Sequence, residues 1–260
     1  MSSVVKVFLI LVSVLAMHAA QSRDMRILAL QEGGVACKND LMNDMENISQ
    51  IGPDGQEVAV ASNFEWSDCN DGAVLMPLGE ELIKSGLADR VIFLPVGVEG
   101  GGVEDWQDGG RAIEKLKLAL TKANVNNTRF DYVFWQGNMV SADVAPNEYQ
   151  QSISKVLKSV KLQTNADKFI ISSSVNCQAN DTLKKTTLRW DPLYNRFPGP
   201  DLQALGDDYR ADHCNFNQRG YKKMAQLWVQ SISEAETLSQ RYQKESVLYY
   251  FKKKYKTLFN

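Results

Sequence analysis

The alternation of short apolar runs with amphipathic stretches constrains the fold of this chain more than any other feature. Continuous apolar runs, typical of strands that are buried on both faces, lie within 25–30, 89–97, 130–137 and 168–175. Segments with apolar residues at helical spacing lie at 78–86, 109–123, 147–161 and 220–245. Strand, loop and helix in repeated succession predict an α/β fold, a three-layer α/β/α sandwich with a central parallel sheet.

The same pattern predicts where a ligand would bind. In such sheets, ligands occupy the crevice at the carboxyl ends of the strands. The loops after residues 30, 97 and 135 and the loop at 208–218 are therefore expected to share one edge. We expect one domain over 23–235, followed by a basic and aromatic C-terminal helix or tail over 236–260. The formal net charge of −2 argues against nucleic acid as a partner.

The amino-terminal residues predict export. Lys6 precedes the apolar run "VFLILVSVLAM", and small and polar residues follow in "HAAQS". This order is typical of a secretory signal peptide, here residues 1–22, with cleavage expected between Ala19 and Ser22. A retained anchor is the alternative. The prediction is a secreted or periplasmic protein with no stable membrane span in its mature form. Its four cysteines are then expected to form disulfides, with no metal site.

Three stretches resemble one family of hydrolases. They are "RVIFLPVGVEGGGVEDWQDGG", "FDYVFWQGNMVSADVAPNEYQQSISKVLKSVK" and "PGPDLQALGDDYRADHCNFNQRGYKKMAQLW". Their order and spacing over residues 25–230 resemble the SGNH hydrolases, specifically the carbohydrate esterases that are similar to sialate O-acetylesterase. The resemblance implies an SGNH, flavodoxin-like fold without a cofactor. It also implies a serine nucleophile just after the first strand, with an aspartate and a histidine near the carboxyl end.

The nucleophile position departs from the family pattern. The turn after the first strand contains Glu32 and Gly33, and no serine or threonine occurs between Arg23 and Ile48. Cys37 comes several residues too late for that turn, and we interpret it as the disulfide partner of Cys69. Glu32 is a carboxylate that could attack an ester, although hydrolases of this kind do not normally use one in this way.

The base position departs as well. The family usually has Asp-Gly-Cys-His-Phe where this chain has "DHCNF". The alignment places Asp212 at the acid and Asn215 at the base, and an asparagine amide does not take up a proton near neutral pH. His213 falls on the family's glycine position, so it is either an exposed loop residue or a relocated base. A predicted Cys177–Cys214 disulfide would hold this loop in place.

Other parts of the family's site persist. Gly101 and Gly102, with Gly100 before them, are expected to offer backbone N–H groups to an oxyanion. Gln136 matches the family's strand end, whereas Asn138 replaces the usual glutamate and either supplies an oxyanion amide or caps a turn. Trp106 either stacks on a sugar or lies in the core.

Three functional hypotheses follow. The first is a secreted SGNH-fold protein that has lost serine-hydrolase activity and binds a carbohydrate or a protein partner. The second is an active O-acetylesterase with a rearranged site that uses His213 and a serine from another loop: Ser67, Ser141 or one of 172–174. The third is a structural component of an envelope or secretion assembly.

Overall fold

The computed structural model describes residues 22–31, 46–60, 64–68, 74–123, 128–137, 145–172, 195–211 and 216–256. Within them, the strands are β1 (Asp24–Gln31), β2 (Ile48–Ile51), β3 (Glu57–Ala59), β4 (Arg90–Gly97), β5 (Tyr132–Gln136), β6 (Lys168–Ile171) and β7 (Arg196–Pro198). The α-helices are α1 (Leu75–Lys84), α2 (Arg111–Lys122), α3 (Pro146–Gln163) and α4 (Gln218–Lys256). Short 3-10 turns lie at Val103–Trp106, Leu202–Ala204 and Asp207–Tyr209.

The strands form one sheet in the order β3-β2-β4-β1-β5-β6-β7. All neighbouring strands are parallel except β2 and β3, which are antiparallel. The central strand β1 contacts β4 on one side and β5 on the other. The predicted α/β fold with a central parallel sheet is therefore confirmed.

Two hydrophobic layers separate the sheet from its helices. On one face, Leu28, Leu94 and Trp135 pack with apolar residues of α2 and α3. On the other face, Ile27 and Phe134 pack with apolar residues of α1 and α4. Successive residues of a strand point to opposite faces of the sheet and pack in opposite layers. Because both layers are apolar, the strands are apolar without interruption. Among the helices in the described residues, none is both long enough and apolar enough to cross a bilayer.

Helix α4 runs antiparallel to the strands that it covers. Near its start, Trp228 stacks on Phe134 in the middle of β5, with ring centroids 4.4 Å apart. Two turns later, Glu236 accepts a hydrogen bond from the Tyr132 hydroxyl and pairs with Lys168 Nζ at 3.0 Å. Tyr132 and Lys168 are the first residues of β5 and β6. The helix therefore passes the amino edge of the sheet at Glu236.

The structure corrects several sequence-based boundaries. Strands β2 and β3 lie between β1 and α1, and β7 lies between β6 and α4, where the sequence analysis identified no strand. These strands are three or four residues long, too short to give a periodic signal. Helix α4 continues to Lys256, past the expected helix end at 245. The expected domain boundary at 235/236 stays a prediction.

Candidate functional site at the carboxyl edge of the sheet

The carboxyl ends of the three central strands lie at one level. Gln31 is the register partner of Gly97 in β4 and of Gln136 in β5. Because neighbouring strands are about 4.8 Å apart and paired residues point to the same face, the two glutamine side chains leave the sheet side by side. Both are half-buried. An amide group both donates and accepts hydrogen bonds, so this pair can bind a neutral polar ligand.

A small apolar cavity lies beneath the two glutamines. Its walls include Ala29, Val74, Leu78, Phe134 and Trp228, with Gln31 and Gln136 at its rim. The cavity volume is about 10 Å³, the lower limit for one water molecule. The space has room for a group no larger than a methyl.

The glycine-rich loop after β4 is held by its own hydrogen bonds. Gly100 has a φ of 64°, a left-handed conformation that favours glycine. The Gly101 N–H donates to the Val98 carbonyl oxygen at 3.2 Å, and the Gly102 N–H donates to Asp105 Oδ2 at 3.2 Å. Both N–H groups predicted for an oxyanion are engaged within the loop, and in this arrangement neither is available to a ligand.

Asp105 is the centre of this loop. Its carboxylate accepts hydrogen bonds from Arg111 Nε at 2.8 Å and Nη2 at 3.3 Å. The hydrogen bond from Arg111 holds the pKa of the Asp105 carboxyl below its ordinary value, and the Arg111 charge and the Gly102 N–H act in the same direction against burial. Sequence analysis missed this pair. The available signal was an acidic residue three positions after Gly102 with an arginine at the start of the next helix.

Trp106 lies in the core below the loop. Its side chain is 1% exposed, and its ring packs edge-to-face against Trp135 with centroids 5.2 Å apart. The core alternative is therefore the one observed, because the ring face is covered and offers no surface to a sugar. The Nε1 groups of Trp106 and Trp135 have no hydrogen-bond partner among the described residues.

Ser67 lies beside the end of β4. It forms a parallel bridge with Gly97, and a Cβ placed on Gly97 would lie 3.7 Å from the Ser67 Oγ and 3.1 Å from the Gln31 carbonyl oxygen. Ser67 is 8% exposed, and its Oγ is closed to solvent and has no hydrogen-bond partner among the described residues. The position is close to the one that the resemblance assigns to a nucleophile, but no base among the described residues forms a hydrogen bond with it.

The residues around Ser67 fix the end of β4. The Asp68 N–H donates to the Gly97 carbonyl oxygen at 3.3 Å. Lys115 Nζ donates to the same oxygen at 3.2 Å and also pairs with the Asp68 carboxylate. The Lys115 ammonium group is therefore engaged by the Gly97 carbonyl oxygen and the Asp68 carboxylate.

Ser172, the other described serine candidate, is also engaged. It follows β6, and its N–H donates to the Trp135 carbonyl oxygen at 2.9 Å. Its Oγ donates to the Pro200 carbonyl oxygen at 3.3 Å, and the residue is 2% exposed. The hydroxyl therefore serves to join β6 to the chain after β7.

The loop before α4 is closed by Asn217. Asn217 Nδ2 donates to the Asp208 and Arg210 carbonyl oxygens, both at 3.0 Å. Its Oδ1 accepts from the Gly220 N–H at 2.9 Å, which caps the start of α4. The Arg210 guanidinium lies 4.6 Å from the centroid of the Phe216 ring. These contacts join the two ends of the segment that carries Asp212, His213 and Asn215.

Several predicted site residues fall outside the described residues. They are Glu32, Gly33, Asn138, Asp212, His213 and Asn215, together with the two predicted disulfides, Cys37–Cys69 and Cys177–Cys214. These predictions stay predictions. Within the described residues, no group of three or more His, Cys, Asp or Glu side chains is placed to hold a metal ion.

Comparisons with known proteins agree on the fold. A protein of Arabidopsis thaliana has a TM-score of 0.60 at 14% identity, over 86% of this chain and 99% of that one. A putative GDSL-like lipase from Parabacteroides merdae has a TM-score of 0.55 and 13% sequence identity, and the match covers 82% of this chain and 97% of the lipase. A catalytic variant of an acetylxylan esterase from Geobacillus stearothermophilus has a TM-score of 0.51 and 14% sequence identity, and the match covers 80% of this chain and 94% of the esterase.

The sequence itself gives no such match. No protein-family model matches this chain, and no curated protein matches it in sequence. At identities of 13–14%, the structural likenesses show the fold alone. The chain shares the α/β fold of these proteins, and a GDSL-like lipase and an acetylxylan esterase are among them.

Proposed function

We propose that this chain is an exported, esterase-like protein that binds acetylated carbohydrate at the carboxyl edge of its sheet and no longer performs serine-hydrolase chemistry. One observation carries the proposal: β1 ends at Gln31, and no serine or threonine occurs between Arg23 and Ile48. The turn that would supply the nucleophile of an SGNH hydrolase therefore contains no hydroxyl group.

The chemistry of ester hydrolysis makes this substitution decisive. A serine hydroxyl becomes a nucleophile when a base within hydrogen-bond reach takes its proton. Ser67 has no hydrogen-bond partner among the described residues, and the Ser172 hydroxyl is bonded to a carbonyl oxygen. The resemblance also aligns Asn215 with the family's base. Loss of either member of a serine–histidine pair lowers the rate by orders of magnitude.

The state of the oxyanion donors supports the same conclusion. An oxyanion site stabilises the transition state through N–H groups that are preorganised and free. The Gly101 and Gly102 N–H groups already donate to Val98 and Asp105. The carboxylate of Asp105 also places negative charge beside Gly102, which opposes the negative charge that develops on an ester oxygen.

The remaining polar groups suit a neutral ligand. The amides of Gln31 and Gln136 lie side by side and line an apolar cavity of about 10 Å³. An acetyl ester on a sugar offers hydrogen-bond acceptors next to a methyl group. The acetylxylan esterase of the same fold is named for a substrate of this type. We therefore take acetylated xylo-oligosaccharide as the probe ligand.

Calorimetric titration with this probe tests the proposal. We expect saturable binding that weakens about threefold to tenfold in Gln31→Ala and in Gln136→Ala, since one neutral hydrogen bond contributes about 0.5–1.5 kcal/mol. Gln56→Ala is the matched control, because Gln56 is an exposed glutamine in the turn between β2 and β3. Equal affinity in all four proteins would exclude the glutamine pair as the binding site.

The second candidate function is an active O-acetylesterase with a relocated nucleophile. The position of Ser67 beside Gly97 and Gln31 favours it. A fluorophosphonate probe separates the two candidates, because it labels activated serines. Labelling that is lost in Ser67→Ala and in His213→Ala would establish the esterase and overturn the proposed loss of activity. Absence of labelling in the folded wild-type chain supports the proposal.

A further inference from the structure

The helical backbone of α4 continues well beyond the last residue whose described side chain lies in the core. Among the α4 residues whose side chains the structure describes, Ala235 is the last that is buried in the core and Leu238 the last that packs against it. The helical backbone continues without a break to Lys256. The 18 residues after Leu238 correspond to about 27 Å along the helix axis.

The direction of this extension is set by the contacts of α4 with the rest of the domain, here called the body. Glu236 is held by Tyr132 and Lys168 at the amino edge of the sheet. Because α4 runs antiparallel to the strands, the chain after Glu236 continues past that edge. Ser239, Tyr242 and Gln243 still line a pocket with residues at the edge, among them Asp167 and Lys168. The proposed carbohydrate site is at the carboxyl edge. The extension and the carbohydrate site are therefore at opposite ends of the domain, where both can be occupied at once.

The extension differs from the body in charge. After Glu245 the chain has no acidic residue and four basic ones, Lys252, Lys253, Lys254 and Lys256. The whole chain has a formal net charge of −2, so residues 1–245 carry −6. An anionic partner is repelled by the body as a whole and attracted by the last turns of α4.

The extension is also amphipathic by position. At about 100° per residue, Val247, Leu248, Phe251 and Tyr255 fall within an arc of about 100° on the helix. Lys252 falls about 40° beyond one border of that arc and Lys254 about 20° beyond the other. The remaining side of the helix has Lys253 and Lys256 together with Tyr249 and Tyr250. Basic helices with an apolar face of this kind lie in the plane of a membrane interface.

We propose that residues 246–256 of α4 dock on the surface of an anionic lipid bilayer. An anionic polysaccharide would account for the lysines but not for the apolar arc. A second copy of the chain would cover the arc but would bring together two sets of lysines, in a segment without acidic residues to pair with them. A bilayer satisfies both features, and docking at this end leaves the carboxyl edge accessible.

Vesicle co-sedimentation tests the proposal. The full chain is mixed with vesicles of phosphatidylcholine alone or of phosphatidylcholine and phosphatidylglycerol at about 3:1. Each interfacial lysine contributes about fivefold in affinity. We expect Lys252→Gln/Lys253→Gln/Lys254→Gln/Lys256→Gln to lower partitioning into the anionic vesicles by about 100-fold or more, as added salt also does. Leu248→Ser/Phe251→Ser should lower it by about tenfold or more.

A second quadruple variant controls for net charge. Lys122→Gln/Lys155→Gln/Lys158→Gln/Lys222→Gln removes the same four charges from exposed positions of the body. We expect it to bind the anionic vesicles within about threefold of the parent. Because the apolar run near the amino end is the same in every variant, the comparison isolates the lysines of residues 246–256. Thermal unfolding establishes that each variant is folded.

Three results would overturn the proposal. The first is equal loss of vesicle binding in both quadruple variants. The second is binding to polygalacturonate without any difference between anionic and neutral vesicles. The third is a dimer, measured by light scattering, that Leu248→Ser/Phe251→Ser dissociates while vesicle binding is unchanged. None of these bears on the titration with carbohydrate, so the two proposals fail independently.

Discussion

The carboxylate of Asp105 accepts two hydrogen bonds from Arg111, at 2.8 Å from Nε and 3.3 Å from Nη2. This pair joins the glycine-rich loop after β4 to the first residue of α2. Asp105 also accepts the Gly102 N–H. In this arrangement of the loop, the Gly101 and Gly102 N–H groups form hydrogen bonds within the loop. These are the groups that the resemblance assigns to an oxyanion.

Removing the Asp105 charge should destabilise the protein. We expect Asp105→Asn to lower the free energy of unfolding by about 1–2 kcal/mol, because hydrogen bonds to a charged group are stronger than neutral ones. For a domain of this size the melting temperature should fall by about 3–6 °C. Glu114→Gln, which removes an exposed ion pair with Lys117 on the same helix, should change the stability by less than about 1 kcal/mol.

The difference in stability between the wild type and Asp105→Asn should depend on pH in a defined direction. The folded-state pKa of Asp105 is lowered, so its ionisation stabilises the folded chain above the ordinary pKa of about 3.9. That contribution is lost as the pH falls through the lowered folded-state pKa. The free energies of unfolding of the wild type and Asp105→Asn, measured with urea, should differ at pH 6, and the difference should shrink as the pH falls below about 3.9. A constant difference down to pH 2 would contradict this account.

Replacing Trp106 should affect folding but not sugar recognition. The buried ring fills space against Trp135, so Trp106→Ala should cost about 3–5 kcal/mol. Trp106→Phe keeps most of the volume and should remain folded. We expect its affinity for acetylated xylo-oligosaccharide to stay within about twofold of the wild type, because the ring has no exposed face. A tenfold loss in a folded Trp106→Phe protein would show that the ring contacts the sugar.

Tyr132 should make the protein sensitive to alkali. Burial, together with the hydrogen bond to Glu236, raises the pKa of the Tyr132 hydroxyl far above its ordinary value. An unfolded tyrosine ionises near pH 10, whereas Tyr132 in the folded chain stays protonated. Stability is therefore fully present below pH 10 and falls as the pH rises above it. Unfolding measured between pH 8 and 11 should show a shallower decline in Tyr132→Phe, and an unchanged decline would exclude this contribution.

Asn217 should control the loop before α4. Asn217→Ala removes the cap of α4 and both hydrogen bonds from Nδ2, so we expect a loss of about 1–2 kcal/mol. Asn217→Ser restores a capping oxygen but not the two donors to the loop. Trypsin cleavage after Arg210, followed by mass spectrometry, should accelerate in both variants, whereas only Asn217→Ser should recover part of the stability. Cleavage at the wild-type rate in Asn217→Ser would show that residues other than Asn217 hold the loop before α4 in place.

The sequence predicted the central strands because burial on both faces leaves an uninterrupted apolar signal. "MRILAL" and "RVIFLPVG" are such runs, and they form the adjacent strands β1 and β4. Strand β2, "ISQI", is apolar only at its ends, and its burial depends on neighbours that are distant in sequence. The strands at the two edges of the sheet, β3 and β7, are three residues long.

The candidate site was predicted less completely than the fold. Gln136 was singled out because it matches the strand end of the family that the chain resembles, and β5 does end there. Its pairing with Gln31 depends on strand order, which composition does not determine. The use of the Gly101 and Gly102 N–H groups depends on the path of the loop, and the sequence pattern alone suggested free donors.

Acetate release from acetylated xylo-oligosaccharide is the most direct test of the central claim. The protein and a slight excess of the ligand are incubated near neutral pH, and free acetate is followed by proton NMR beside a sample without protein. The account predicts shifted ligand resonances, which report binding, and acetate release no faster than in the sample without protein. Release that is faster and repeats over many turnovers would contradict it.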